Sequence, residues 1–185
     1  MSRLASWLPG ATRDSLLAFL DAAVDIAPHD RVAVFDNDGT LWCEKPAYPQ
    51  LAFCVHELGK AVADDPSLAE RTEYAALLQR DQATLDALGL PRIGLALADL
   101  FAGMSADEFA ARVRAFLFGA TNPIAGRPFG AATYAPMLEL LAELRATGFT
   151  VFVVTGGGTE FVRADISNPV IAKVISTSVA ITINW

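Results

Sequence analysis

Two short apolar runs are the strongest secondary-structure signals along the chain. Val32–Phe35 and residues 149–154 contain β-branched, small and aromatic side chains, with no charge among them. Such runs are typical of strands buried on both faces of a parallel sheet. The pattern therefore predicts an α/β fold that includes these two strands.

A helical pattern precedes each run. Thr12 is a candidate N-cap for an amphipathic helix that ends before Pro28. A second amphipathic pattern covers residues 134–146, with Gly148 just past its end. The apolar positions of the two patterns are Leu16, Leu17, Leu20, Ala23, Val24 and Ala27, then Met137, Leu138, Leu141 and Leu144.

Between Cys43 and Arg127 the pattern is helical, with almost no strand signal. A first helix is expected to end near residues 64–66, and Ser67 is expected to cap a second that stops at Gly89. Residues 105–108, Ser-Ala-Asp-Glu, have the form of a capping box that opens a third. These residues are therefore predicted to be an inserted helical module.

Two carboxylates follow directly after the first strand. Asp36 stands at the strand end, and Asp38 points the same way if the chain stays extended. Ligands of open α/β sheets bind at the carboxyl ends of the strands. Each carboxylate disfavours charge on the other, and a metal ion would relieve that repulsion. One acid can then act as nucleophile and metal ligand while the other transfers protons.

The second strand ends in a threonine and three glycines. Thr155 and Gly156 open this turn, and residues 160–162 then return to a helical pattern. A hydroxyl and glycine amides between a strand and a helix form an anion site. An ordinary turn between a strand and a helix would also use glycine, so this motif alone does not decide the function.

Length, composition and charge narrow the class of protein. The 185 residues fit one domain, or a small core with an insertion. The chain is 53% hydrophobic with a net charge of −7, and it has no Lys/Arg cluster that could follow a nucleic-acid backbone. The first long apolar run is interrupted by Asp21 and Asp25, which excludes a signal peptide or a membrane span there. Neither nucleic acid nor membrane is an expected partner.

The two cysteines indicate a reducing, cytoplasmic location. Cys43 and Cys54 form no Cys-x-x-Cys pair and are expected to be free thiols. Cys54 and His56 could be half of a metal site, but no second pair of ligands accompanies them. A role in helix packing is the simpler interpretation.

The motifs together resemble a known superfamily. Residues 35–41, Phe-Asp-Asn-Asp-Gly-Thr-Leu, resemble motif I of the haloacid dehalogenase (HAD) superfamily, and residues 155–157 resemble motif II. Most members are Mg²⁺-dependent phosphatases. Residues 126–128, 136–141 and 161–163 are also similar to a bacterial phosphoserine-phosphatase-like branch. The resemblance covers about residues 15–164.

The resemblance implies a Rossmann-like three-layer core with a parallel sheet and an inserted all-helical cap of the C1 type. The core would comprise residues 1–42 and 128–185, and the cap residues 43–127. In this superfamily such a cap closes over the site and selects substrates.

The resemblance also implies roles for individual residues. Asp36 would be the nucleophile, and Asp38 would be the general acid and base. An Asp36 oxygen and the Asp38 main-chain carbonyl would hold Mg²⁺. Thr155 and the Gly156 amide would bind the phosphoryl oxygens of a small phosphorylated substrate. Glu44 and Arg127 are candidates for contacting a charged substrate, although solvent-facing loop positions would explain them equally well.

The last part of the chain departs from the family. Residues 166–185 contain one charged residue, Lys173, and no leucine, and the acids of motif IV are missing. Lys173 could fill the motif III role, but a surface lysine is the simpler interpretation. We expect a truncation or a shifted reading frame after about residue 164.

Several alternatives stay open at this point. True dehalogenases lack an acid at the position of Asp38, so its presence favours phosphate esters. Phosphonate hydrolysis uses a cap lysine, for which Lys45 and Lys60 are available. A catalytically defective remnant that binds phosphate or metal weakly is the second class of function. The sequence does not indicate the oligomeric state.

Overall fold

The computed structural model describes residues 3–164 and 181–182. Its helices are α1 Ala11–Ala22, α2 Pro49–Asp64, α3 Thr72–Gln79, α4 Gln82–Leu88, α5 Leu90–Leu100, α6 Ala106–Gly119, α7 Ala135–Ala146 and α8 Thr159–Ala164. Its strands are β1 Val32–Phe35, β2 Thr121–Asn122, β3 Arg127–Pro128, β4 Thr150–Thr155 and β5 Ile181–Thr182. Lys173 and the rest of the atypical tail, apart from β5, lie outside the described residues.

The sheet is parallel, in the order β1, β4, β5. Phe35 of β1 pairs with Val153 of β4, so the two predicted strands are neighbours that run the same way. The two residues of β5 pair with Val154 and Thr155 on the other side of β4. The predicted α/β class with a parallel sheet is confirmed.

One face of the sheet carries the main core. Alternate residues of β1 and β4 point to the same face, and α1 and α7 pack against it. The core residues from the sheet are Ala33, Phe35, Val151 and Val153, and those from α1 and α7 are Leu16, Leu17, Leu20, Met137, Leu138, Leu140, Leu141 and Leu144.

The expectation that β1 is buried on both faces is wrong. Val32 and Val34 are 50% and 59% exposed. They occupy the face of β1 opposite to α1 and α7, and the apolar run alone did not reveal that these two side chains are about half exposed.

Between β1 and β4 the chain is mostly helical, as the pattern predicts, but it is not all helical, because β2 and β3 form a short antiparallel pair. One predicted helix is also broken. Instead of a single helix from Ser67 to Gly89, the chain forms a 3₁₀ helix at Pro66–Glu70, then α3 and α4. The Asp65 carboxylate accepts bonds from the Ser67 amide and hydroxyl, so Asp65 is the cap and Ser67 is not. Arg80 has a left-handed φ of 55°, which ends α3.

Some of the other predicted helix boundaries agree with the structure and some do not. The capping box between Ser105 and Glu108 opens α6 as predicted, and α2 ends at Asp64. Helix α1 begins at Ala11 after Gly10, so Thr12 lies inside its first turn rather than at the cap. Helix α5 was not predicted as a separate element.

Residues 49–119, here called the helical segment, dock on the core through aromatic rings. Phe53 of α2 is fully buried. Its ring centroid lies 5.6 Å from that of Phe161 in α8 and 5.7 Å from that of Phe116 in α6. The Phe161 ring in turn packs edge-on against that of Trp42, which follows β1, with 6.1 Å between the ring centroids. This cluster fixes the helical segment beside the loops that follow β1 and β4.

The two ends of the helical segment are tied to each other. Asn122 is fully buried, and its amide donates to the Lys45 carbonyl at 3.0 Å. Its side-chain oxygen accepts from the amides of Ile124 and Ala125, both at 2.9 Å. The stretch of chain that leads into the segment is thereby held to the stretch that leads out of it.

Glu57 of α2 gives a prediction about acid stability. Its carboxylate is 3% exposed and binds Lys60 at 2.8 Å and Arg112 at 3.1 Å. Burial opposes ionisation, but these two bonds outweigh it and hold the pKa of Glu57 below its ordinary value of 4.5. The resulting stabilisation is therefore present above pH 4.5 and is lost as the pH falls through the lower folded pKa.

We expect Glu57→Gln to lower the free energy of unfolding at pH 7 by about 1–3 kcal/mol, because two charge-assisted hydrogen bonds are weakened. Urea unfolding followed by circular dichroism at several pH values would measure it, and the difference from wild type should shrink below about pH 4. Glu70→Gln, which removes the same charge at an exposed position, should have little effect. A deficit that does not depend on pH would contradict this account.

Candidate functional site

Asp36 is the first residue after β1 and is exposed. The chain turns back immediately behind it. The Asn37 carbonyl accepts from the amides of Leu41 and Trp42 at 2.8 and 3.3 Å, and the Gly39 amide donates to the Trp42 carbonyl at 2.9 Å. Gly39 has a left-handed φ of 75°, which glycine adopts without strain. This tight turn holds Asp36 at the carboxyl end of the strand.

Asp38 is held by an indole. The Trp42 Nε1 donates to Asp38 Oδ1 at 2.7 Å. Burial raises the pKa of Asp38 above its ordinary value of 3.8; the Trp42 bond opposes this change, and the charges of Asp36 and Glu44 add to it. A carboxyl with a raised pKa keeps a proton more readily near neutral pH, as a general acid requires.

Glu44 lies beside the same turn. A Cβ on Gly39 would come within 3.0 Å of Glu44 Oε2, so the glycine also makes room for this carboxylate. Glu44 pairs with Lys45 at 3.6 Å. The structure thus brings Glu44 into the electrostatic environment of Asp38. Whether Glu44 contacts a substrate stays a prediction.

The glycine turn lies at the same edge of the sheet as Asp36. Because Phe35 pairs with Val153, Asp36 and Thr155 leave neighbouring parallel strands that are about 4.8 Å apart. Thr155 is buried, and its Oγ1 accepts from the Gly157 amide at 3.1 Å. With that lone pair occupied, the hydroxyl hydrogen is available to donate to an anion. Gly156, next along the turn, is exposed.

Gln50 is a residue that sequence reasoning missed. It lies in the first turn of α2, and its Oε1 accepts from the Gly158 amide at 2.7 Å. The helical segment therefore contacts the glycine turn directly. No local motif signals this contact, because its partners are 108 positions apart in the chain.

Arg127 lies near the Asp38 loop through β3. Its guanidinium donates to the Thr133 carbonyl at 3.2 Å, and Thr133 forms a β-bridge with Trp42. Arg127 is exposed, so its charge can reach solvent or a ligand. Its predicted role in substrate binding is compatible with this position and stays a prediction.

Other candidates are accounted for by packing. Cys54 is buried in the aromatic cluster, where burial, with the nearby Glu57 charge, raises its pKa to about 12. The nearby His56 ring packs on the Phe116 ring, with 5.3 Å between the ring centroids. Lys60, one of the two lysines considered for phosphonate chemistry, is paired with Glu57. The helix-packing interpretation of Cys54 is confirmed.

The donor set at the end of β1 suits a hard cation. Within residues 3–164 and 181–182, no group of three or more His, Cys, Asp or Glu side chains is arranged to hold a metal. Mg²⁺, however, is usually held by one or two carboxylates, with waters and substrate phosphate oxygens completing its shell. The exposed Asp36 carboxylate, with Asp38 two residues on, fits that mode. It does not fit a closed transition-metal site.

The sequence comparison agrees with this fold. The model of the haloacid dehalogenase-like hydrolase family matches residues 33–181. That range covers most of the chain, so the protein belongs to the haloacid dehalogenase-like hydrolase family. No curated protein sequence matches it.

Two further sequence expectations can be compared with these findings, one with the matched range and one with the helices of the structure. It extends past residue 164, where the resemblance was expected to end, and includes β5. In the part of the chain that the structure describes, no helix is long and apolar enough to cross a bilayer.

Proposed function

We propose that this protein is a Mg²⁺-dependent phosphomonoester hydrolase of the phosphoserine-phosphatase-like branch. It acts on a small phosphorylated metabolite through an aspartyl-phosphate on Asp36. The observation that carries this proposal is the exposed Asp36 beside Asp38, whose carboxyl is held by Trp42 and has a raised pKa. That arrangement supplies a nucleophile and a proton donor next to each other.

In the first half of the reaction, an Asp36 carboxylate oxygen attacks phosphorus. The new bond is O–P, and the bond from phosphorus to the alcohol oxygen breaks. Asp38 gives its proton to that leaving oxygen. The Thr155 hydroxyl and the Gly156 amide donate to the phosphoryl oxygens, where charge is spread in the transition state.

In the second half, water attacks the phosphorus of the aspartyl-phosphate. Asp38, now ionised, takes a proton from that water, and the bond between phosphorus and the Asp36 oxygen breaks. Inorganic phosphate leaves and both aspartates return to their starting forms. Asp36 and the Asp38 main-chain carbonyl would hold Mg²⁺, which when bound supplies electrostatic stabilisation of phosphoryl oxygens.

The contacts of the helical segment support the proposal that it is the cap. Its aromatic cluster and Gln50 place it against α8 and the glycine turn. A cover there would exclude water from phosphoryl transfer. We propose accordingly that residues 43–127 form a cap on a core of residues 1–42 and 128–185, and that the protein works in the cytoplasm without nucleic-acid or membrane partners.

A substrate panel tests the proposal. Purified protein would be incubated with p-nitrophenyl phosphate, phosphoserine, sugar phosphates and a phosphonate, each with MgCl₂ or with EDTA. We expect phosphate release from the esters in MgCl₂ only. Release from the phosphonate alone, or turnover that EDTA does not affect, would contradict the proposed function.

A second candidate is a binding protein without turnover. It is favoured by the absence of a third acidic metal ligand among the residues that the structure describes. In that case the protein would bind inorganic phosphate in the presence of Mg²⁺, and no ester of the panel would be hydrolysed.

A further inference from the structure

The side chain of Gln50 lies directly on the glycine turn. Its side-chain oxygen accepts a 2.7 Å bond from the main-chain amide of Gly158. The Gln50 carboxamide is also so close to the turn that a Cβ added to either of two glycines would nearly collide with it. A Cβ on Gly157 would lie 3.2 Å from Gln50 Oε1, and one on Gly158 would lie 3.0 Å from Nε2. Both distances are shorter than ordinary van der Waals contact.

Backbone conformation does not explain why glycine occupies these two positions. Neither Gly157 nor Gly158 has a positive φ, so neither position requires glycine for a left-handed φ. What a side chain would disturb is the position of Gln50. The glycines therefore leave space for a residue of the helical segment.

The turn is thereby fixed from two sides. Within the core, the Gly157 amide donates to Thr155 Oγ1 at 3.1 Å. From the helical segment, Gln50 accepts the amide of the next residue, Gly158. These two bonds orient consecutive peptides of the turn whose hydroxyl and first glycine amide are the proposed phosphoryl donors.

We propose that Gln50 is a positioning residue, which gives the glycine turn its phosphoryl-binding shape while the helical segment is docked on the core. The inference rests on the proposed function, because it takes the turn of residues 155–158 as the phosphoryl site. Gln50 acts through the turn, so its loss weakens the binding of phosphate itself. Ester substrates and inorganic phosphate should be affected alike.

The main test measures inorganic phosphate affinity by calorimetry in MgCl₂. Gln50→Ala should weaken binding about fivefold to tenfold, the effect of one lost hydrogen bond. Gln50→Met keeps the length of the side chain but accepts no comparable bond, and it should behave like Ala. Gln79→Ala, at an exposed position of α3, is the control and should bind like wild type. Full rescue by Met would mean that Gln50 only fills space, which overturns the proposal.

A double-mutant cycle adds a readout that a general loss of stability would not produce. Gly158→Ala should weaken phosphate binding in wild type, because its Cβ displaces Gln50. In the Gln50→Ala background the same change should cost less than about twofold, since nothing remains to be displaced. Additive losses would overturn the proposal. Amide hydrogen exchange should also show Gly158 protected in wild type and exposed in Gln50→Ala.

Turnover is measured separately, so the two proposals fail in different ways. Phosphate affinity that depends on Gln50 in a protein without turnover would support the positioning role and refute the phosphatase. Turnover, together with a phosphate affinity that is equal in wild type and Gln50→Ala, would support the phosphatase and refute the positioning role. If wild type binds no phosphate, the Gln50 proposal is overturned.

Discussion

Asp36→Asn should lower Mg²⁺-dependent hydrolysis of p-nitrophenyl phosphate by at least about a thousandfold, because the carboxamide is a poor nucleophile and a neutral metal ligand. The fold should survive the change. Asp36 is exposed at the end of β1, and the main-chain bonds that shape the turn behind it do not involve its side chain. Circular dichroism and the thermal unfolding midpoint should therefore match wild type, while turnover disappears.

The control is Asp30→Asn, at an exposed aspartate of the 3₁₀ helix that precedes β1. It makes the same chemical change six residues earlier and should leave the rate unaltered. Acid-quenched wild type should carry one phosphoryl group that hydroxylamine removes, and peptide mapping should place it on Asp36. A phosphoryl group on another residue, or appreciable turnover by Asp36→Asn, would contradict the assignment of the nucleophile.

The parts of the fold that were predicted correctly depend on local patterns. The apolar runs of β1 and β4 and the capping box at Ser105 are each decided by neighbouring residues, and each lies where the sequence indicated. The pairing of β1 with β4 is what the resemblance implies, because motifs I and II must converge on one phosphate. The register of Phe35 with Val153 agrees with that requirement.

The errors arise where the same pattern fits two structures. Apolar spacing continues from Leu77 to Leu85, so it did not reveal the left-handed Arg80 that separates α3 from α4. Likewise, Val34 fits a strand whether or not another layer covers it, and here it is 59% exposed. Periodicity records which residues could be buried; what packs on them depends on tertiary structure.

The sequence predicted which reactive side chains the site contains, but not the contacts that hold them. Asp36, Asp38 and Thr155 belong to motifs that are contiguous in sequence. The bond from Trp42 to Asp38 and the contact of Gln50 with Gly158 depend on how the chain folds back and on how the helical segment docks. Such supporting contacts set pKa values and orient donors, and sequence motifs do not record them.

Asp38→Asn should produce a leaving-group-dependent defect, which separates proton transfer from a structural role. An alkyl phosphate such as phosphoserine needs a proton on its departing oxygen, so its hydrolysis should fall by about a hundredfold to ten-thousandfold. The phenolate of p-nitrophenyl phosphate leaves without that proton, so the first step should be nearly unchanged. Attack by water on the aspartyl-phosphate still needs a base, so the second step should slow.

The variant should therefore release a burst of about one equivalent of p-nitrophenol, followed by slow turnover, and phosphorylated Asp36 should accumulate. Phosphoserine should give no burst. Trp42→Phe is the comparison variant, because it removes the 2.7 Å bond to Asp38 while a smaller aromatic ring remains in the buried position beside Phe161. Since that bond lowers the pKa of Asp38, its loss should raise the pKa further and move the alkaline limb of kcat/KM for phosphoserine to higher pH. Equal losses for both substrates in Asp38→Asn, without a burst, would show that Asp38 holds the turn in place rather than transferring the proton.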